Sequence, residues 1–561
     1  MTGLKDKIED IFPLTPLQKG LLFHTLYEPQ SGVYFEQLHC QLQGEVSLVA
    51  VRQAWQTLVD RHSILRTAIV TKGQTEPVQV VFRHLTFNIA EEDWRGLSDD
   101  AQEEYLNQFL EADKHKGFVL NRPPLMRVTL IRLREDIWHL VWSHHHIILD
   151  GWSWPILLKE FLILHKAAKE NVAISLPRVR PYADFIAWLK QRNHQESKKF
   201  WQQYMLGFES ATPLLMISKT RINSKFKSGE ITTELSPEKT DLLDKLARNC
   251  SVTLNTVIQG AWAILLNRYS RSNDVVYGIT VAGRPPEIPG VETMIGPFIN
   301  TLPLRVLISG EEPLDNWLQS LQSQVALMRQ FEHTSLSDIQ GWSDIPRGKQ
   351  LFESLLAFEN FPVDKSLKAS DFGLNVPESH FSESTHYPIT LVVIPGNVIS
   401  LKLSYNENRF DASTMKLLLQ QFSDLLLNMT GNPRAFLRDI SLLGYQEKQY
   451  LMEKREPSEL PPAQVTINEL FAQSVSIYPE RIALSYEDKK FTYQQLDQSS
   501  NTIANYLHTL GIGSEKRVVI CLERTPELII AMLSVVKAGG VYVPVDPTYP
   551  PDRIEFIIDD C

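Results

Sequence analysis

The chain has 561 residues, too many for one ordinary hydrophobic core, so two to four domains are expected. Apolar and charged fractions of 43% and 22% are those of globular protein and exclude general disorder. A formal net charge of −10 excludes a nucleic-acid-binding surface spread over the molecule, because neutralising phosphates takes clustered Lys and Arg; local basic patches for a phosphorylated partner stay open.

The opening MTGLKDKIED carries acidic residues and no apolar signal-peptide core. Residues 47–62 place apolar side chains at helical spacing, and VTLIRL at 128–133 reads as a strand. IWHLVW at 137–142 is a nearly continuous apolar strand, of the kind a sheet covered on both faces requires. Two helical stretches fill 239–270, and VVYGITV at 275–281 reads as another strand. The fold class is therefore α/β or α+β. Near residue 445 the texture changes: a charged stretch is followed by Pro457, Pro461 and Pro462, which predicts a linker over 445–465. An alternating pattern opens at Ile467, helical periodicity resumes over 494–509, and RVVICL, a helix over 526–537 and VYVPV form a strand–helix–strand series. The apolar run at 528–536 stops at Lys537, short of the roughly 18–20 residues of a bilayer span. Cys40, Cys250, Cys521 and Cys561 lie far apart with no metal-ligand spacing, which suits free thiols. A soluble, cytoplasmic protein with no membrane or nucleic-acid partner is expected.

The sharpest feature is WSHHHIILDGWSWP at 142–155. A buried strand runs into three histidines, then Asp150 and Gly151, then an apolar helix with Pro155 in its first turn, where proline is tolerated. Histidine suits proton transfer at neutral pH, and a carboxylate four residues on can hold the loop or the imidazole by charge-assisted hydrogen bonds. A structural histidine beside an apolar strand is the bland alternative. His144 and His146 share a strand face and are spaced for a metal, but no third ligand stands nearby in the sequence.

HHIILDGWS resembles the active-site motif of the condensation-domain superfamily of nonribosomal peptide synthetases, which shares its fold with chloramphenicol acetyltransferase. Further segments are similar to that family in order: PLTPLQKGLLFHTL (13–26), RHSILRT (61–67, with Arg66), YADFIAW (182–188), the Arg- and Asn-bearing segment 281–306 and FEHTSLSDIQGWS (331–343). The resemblance covers roughly 8–440. It implies two lobes of similar fold in a V-shaped pseudo-dimer, over 1–180 and 181–444. It implies His146, His145, Asp150 and Gly151 as catalytic-motif residues, with Arg284, Trp152, Ser153, Asn300 and Arg66 in support. Asp150 is then structural, paired with Arg284 from the second lobe; a solvent-exposed turn arginine is the alternative reading of Arg284.

The implied reaction joins a carrier-bound aminoacyl or peptidyl thioester donor to a carrier-bound aminoacyl acceptor. Phosphopantetheine arms come from the carrier domains, and no cofactor or metal is bound directly. His146 either accepts a proton from the attacking amine or orients it. Leu149, the segment 23–38 and EHTSLSDIQGWS look like the class taking D-configured donors, although His144 stands where that class commonly has an aromatic residue. An epimerisation domain, which shares the motif, and a non-catalytic docking domain are the competing readings. FTYQQL (491–496) and VKAGGVYVPVDPTYPPDRI (536–554) resemble the first two adenylation-domain motifs, so 466–561 is expected to be the N-terminal part of such a domain, without adenylating activity and with Lys537 as a helix-capping cation. With the first motif close to Met1, a donor carrier delivered in trans is expected, with TGLKDKIED either at its contact surface or a frayed terminus.

Overall fold

The computed structural model describes residues 7–27, 32–71, 76–213, 228–346, 349–360, 374, 376, 379–382, 385–453 and 465–561. The chain divides into two compact units, Met1–Lys448 and Gln449–Cys561. Of the linker expected over 445–465, Tyr445–Glu453 is instead a helix and 454–464 lies outside the described residues, as do 2–6 of the terminal segment and 28–31 of the segment 23–38.

In the first unit the strands are β1 (Ile8–Pro13), β2 (Phe35–Gln43), β3 (Thr67–Val70), β4 (Val78–Phe82), β5 (Ala90–Asp93), β6 (Met126–Arg132), β7 (Ile137–His145), β8 (Ser228–Leu235), β9 (Asp274–Val281), β10 (Asn300–Leu307), β11 (Ser354–Phe358), β12 (Ser379–Ser382), β13 (Ile389–Ile394) and β14 (Ile399–Asn406). They form a small sheet β1-β4-β3, a five-stranded sheet β12-β2-β7-β6-β5 and a six-stranded sheet β10-β9-β11-β13-β14-β8. Mixed pairing follows: β11 is parallel to β9 and β13, whereas β2, β7 and β6 are antiparallel.

The apolar run at 137–142 is a strand buried along nearly its whole length, and it continues three residues further, to His145. Helix Leu48–Arg61, capped by the Ser47 side chain, packs with helix Ser153–Lys169 on the five-stranded sheet, burying Trp55, Trp142 and Phe161. Around the six-stranded sheet a second core gathers helices Leu254–Ser270 and Ala412–Met429.

The two cores are interleaved in sequence. Strand β12 sits at the edge of the first sheet beside β2, and Ile288, Val291, Met294, Ile295 and Phe298 pack into the first core. Helix Tyr182–Lys190, expected from the sequence in the second lobe, also buries Tyr182, Phe185 and Ile186 there.

The second unit contains an antiparallel pair, Ile482–Tyr486 with Lys489–Thr492, and a parallel pair, Arg517–Cys521 with Val541–Val545, joined through helix Pro526–Lys537. Two expectations are corrected here. Ile467–Ile477 is a helix rather than an alternating strand, because Thr466 and Glu469 form a reciprocal capping box at its start. Lys537 does not serve as a simple cap of its own helix: its ammonium donates to Asp497 Oδ1 (2.7 Å), Ser500 Oγ (2.7 Å) and Asn501 Oδ1 (2.8 Å) of helix Tyr493–Thr509. Among the described residues no helix is long and apolar enough to cross a membrane.

Candidate active site

His146 follows β7 directly, and its backbone N–H donates to the carbonyl of Tyr34 (2.9 Å), which ties the strand end to the start of β2. The side chain is buried and lines a cavity of about 610 Å³ between the two cores. Gly151 and Trp152 line the same space from the first core; Gln259, Gln322 and Thr390 line it from the second.

The imidazole's Nδ1 stands 2.7 Å from the Leu149 carbonyl oxygen and 2.9 Å from Glu36 Oε1. Both neighbours only accept, so Nδ1 carries the proton and the lone pair of neutral His146 belongs to Nε2. That is the tautomer a proton acceptor needs.

His145 is held differently. Its Nδ1 accepts from the Ile147 N–H (3.1 Å), and its Nε2 lies 3.1 Å from Thr25 Oγ1 in the opening-motif helix Pro16–Tyr27. Burial, then the neighbouring His146 and His144, push its pKa down to about 3 against a smaller upward pull from Glu36. A ring kept neutral with both nitrogens engaged is a structural element, so His145 supports the loop. Gln18 adds to this, donating to the Ile147 carbonyl (3.0 Å).

Asp150 is buried, and its carboxylate has four donors. Ser153 gives its N–H (3.0 Å) and Oγ–H (2.7 Å) to Oδ1, Phe298 gives its N–H (3.0 Å) to Oδ2, and Arg284 Nη2 lies 3.3 Å from Oδ1. Arg284 is no exposed turn residue: Nη1 donates to the carbonyls of Val291 (2.6 Å) and Met294 (2.8 Å), and the guanidinium stacks 4.1 Å from the centre of the Phe298 ring. Burial lowers its pKa, against the raising effect of Asp150. Gly283 makes this approach possible. Its φ is +59°, and a Cβ there would stand 1.8 Å from the Phe298 carbonyl oxygen.

Trp152 donates its indole N–H to the Glu292 carbonyl (3.1 Å). Asn300 is outside the cavity lining and instead clamps the late motif, donating to the carbonyls of Glu332 (2.8 Å) and Thr334 (2.7 Å). Arg66 is not brought to the cavity either. Its guanidinium caps the carbonyls of Val59 (2.9 Å) and Asp60 (3.2 Å) and reaches Glu9 (2.6 Å), bracing a helix end against β1.

Sequence reasoning missed Glu36. It lies opposite His144 in the β2–β7 register, on the strand face that also carries Leu38, Cys40 and Leu42. A carboxylate at a core-facing position of a period-two strand was the available signal. Glu36 Oε2 is 2.6 Å from His144 Nε2, an ion-pair distance not aligned as a hydrogen bond. The two histidines whose spacing suggested a metal thus face a carboxylate, and among the described residues no group of three ligands is placed to hold a metal ion.

Residues 8–452 match the condensation domain family, and residues 471–561 match the AMP-binding enzyme family. The chain is 41% identical to one of the linear gramicidin synthase polypeptides of Brevibacillus parabrevis, over 99% of its own length and 11% of the relative's. It is 33% identical to surfactin synthase subunit 3 of Bacillus subtilis, over 99% of this chain and 44% of the relative. It therefore spans a minor part of each. Among solved structures, a four-domain nonribosomal peptide synthetase bound to AMP and glycine aligns over 99% of this chain and 43% of its own, with a TM-score of 0.69 at 20% identity. The first condensation domain of the calcium-dependent antibiotic synthetase aligns over 78% of this chain and all of its own (100%), with a TM-score of 0.65 at 15% identity.

This chain belongs to the condensation domain family of nonribosomal peptide synthetases and carries, after it, the beginning of an AMP-binding domain.

Proposed function

We propose that the first unit forms amide bonds between two carrier-tethered thioesters. The observation that carries this reading is the arrangement at His146: Nδ1 is committed to two acceptors while the ring lines a cavity large enough for the ends of two extended arms. The acceptor's amine attacks the donor's thioester carbonyl, forming the C–N bond. The C–S bond then breaks, and the proton lost by nitrogen passes to His146 Nε2 and on to the departing thiolate. An α-amino group with pKa near 7.7 is already about a tenth or more unprotonated at neutral pH, so positioning and charge stabilisation carry most of the acceleration. Asp150 and Arg284 hold the loop in shape, and Gly151 and Trp152 form cavity wall. Phosphopantetheine arms arrive on donor and acceptor carrier domains as parts of the substrates.

The donor we assign is D-configured at its last residue, on the resemblance of Leu149 and of the segments around 23–38 and 332–343 to that class. The unpaired thiols of buried Cys40 and Cys250 suit a reducing cytoplasm.

The test is incubation of the purified chain with one donor-loaded and one acceptor-loaded carrier protein. Mass spectrometry of the acceptor carrier should show the donor's acyl group joined by an amide. Absence of transfer, or release of an epimerised donor without an amide, overturns the assignment. Two donors differing only at the α-carbon then compete for one acceptor, and preference for the L-configured donor overturns the stereochemical assignment alone.

A further inference from the structure

The buried carboxylate of Glu36 has no place in the motif, yet it faces both outer histidines of the triple. Its two oxygens lie 2.9 Å from His146 Nδ1 and 2.6 Å from His144 Nε2. All three side chains are buried, and Glu36 and His146 both line the cavity. A carboxylate in such surroundings is costly unless compensated, and the compensating groups here are imidazoles.

We infer that Glu36 is a positioning residue for the reaction at His146. It supplies the counter-charge that stabilises the imidazolium formed when Nε2 takes the proton, while the His144 ring stands 2.6 Å from the other carboxylate oxygen. This rests on the reading of His146 as the proton acceptor.

The chemistry follows from charge. The Leu149 carbonyl alone would keep the proton on Nδ1, because it accepts from that nitrogen at 2.7 Å. A carbonyl, however, carries only a partial charge, whereas a carboxylate 2.9 Å away favours the protonated ring far more strongly. Burial alone raises the Glu36 carboxyl, but the attraction of His146 and the contacts of His144 outweigh it and hold the pKa at about 2. With the protonated His146 ring beside it, the carboxylate is therefore held in its ionised form. His144 completes the arrangement. It lies directly across from Glu36 in the strand register, so an aromatic ring at 144 would leave Oε2 without its imidazole neighbour. Backbone geometry points the same way. Tyr34, whose carbonyl holds the His146 N–H, has φ of 64°, a left-handed conformation that a bulky residue keeps only when its surroundings impose it.

Groups that face His146 from the packed elements are Glu36 on β2, Tyr34 just before it, His144 and His145 on β7, and Arg329 and Glu359 across the cavity. Of these, Glu36 is the anion at hydrogen-bond distance.

The experiment compares wild type, Glu36→Gln, Glu36→Asp and His144→Phe in single-turnover amide formation with both carriers loaded, across pH. It is paired with titration of the His146 ring by NMR of histidine-labelled protein, with His146→Ala locating the signal. Glu36→Gln should slow turnover about tenfold or more, with Glu36→Asp partly restoring it and carrier affinity unchanged. The His146 midpoint should move to lower pH in Glu36→Gln, and by less in His144→Phe. A folded Glu36→Gln with an unmoved His146 midpoint overturns the inference. If Glu36→Gln does not fold, His144→Phe decides it, and an unmoved midpoint there is equally fatal. The NMR titration is independent of turnover. A wild type whose His146 midpoint responds to Glu36, but whose His146→Ala variant still forms amide, refutes the catalytic reading and leaves the electrostatic coupling standing.

Discussion

Arg284 reaches Asp150 from the loop after β9, yet it is the most distant of the carboxylate's donors, at 3.3 Å against 2.7 Å for the Ser153 hydroxyl. The ion pair is therefore one part of a junction that also binds the helix start at Ser153 to the loop ending at Phe298.

Unequal costs follow for the two partners. Asp150→Ala strands the Ser153 and Phe298 donors and leaves a buried guanidinium without its carboxylate, a loss of about 3–5 kcal/mol. Arg284→Ala leaves the carboxylate three hydrogen bonds and should cost about 1–3 kcal/mol. Urea denaturation of both variants checks the order, and a larger loss for Arg284→Ala would contradict it.

His146→Ala should reduce amide formation by about 10²-fold or more while the protein remains folded. Glu36 keeps His144 as a neighbour in this variant, so the buried carboxylate is not abandoned. Circular dichroism and single-turnover assays on the same preparation make the comparison. Near-wild-type turnover would remove His146 from the chemistry.

Acid should destabilise the first unit well before carboxylates titrate. Burial lowers His145 to about 3, and burial with the stacked His24 ring lowers His386 to about 3, from an ordinary value near 6.5. Below pH 6.5 the unfolded chain takes up these protons and the folded chain does not, so stability falls as pH drops toward 3. Each group contributes a slope of about 1.4 kcal/mol per pH unit. Glu36 acts in the same direction at lower pH: held at about 2, its contribution is present above the unfolded value of 4.5 and is lost as pH falls through 2. Urea midpoints at pH 7, 6 and 5 should decline, and His386→Gln should flatten the decline. Equal midpoints at pH 7 and 5 would refute this.

Gly283→Ala should yield little soluble protein, because the new Cβ meets a backbone oxygen at 1.8 Å and the φ of +59° disfavours alanine. Gly290→Ala, at φ +79° but with nothing closer than 3.9 Å, should be milder. Thermal melts of the two variants separate collision from backbone strain, and equal losses would show that strain alone decides.

Local patterns in the sequence were enough for much of this protein. A continuous apolar run located β7, period-3.6 spacing located the helix Leu48–Arg61, and short apolar runs located the strand–helix–strand series of the second unit, because burial of these elements is written in their own residues. The histidine and Asp150 spacing marked the site because a strand end and a helix start are a few residues apart along the chain. Tertiary structure alone decided which partners meet. Arg284 reads from sequence equally as a buried pair or an exposed turn, since it lies 134 residues from Asp150 and only the packing of Phe298 and its neighbours into the first core closes that gap. Lys537 found acceptors on a neighbouring helix that no periodicity in its own helix announces. Glu36 was legible only as an anomaly on an apolar strand face. Its meaning required the β2–β7 register, because pairing between distant strands is set by the turn geometry and burial of the whole sheet.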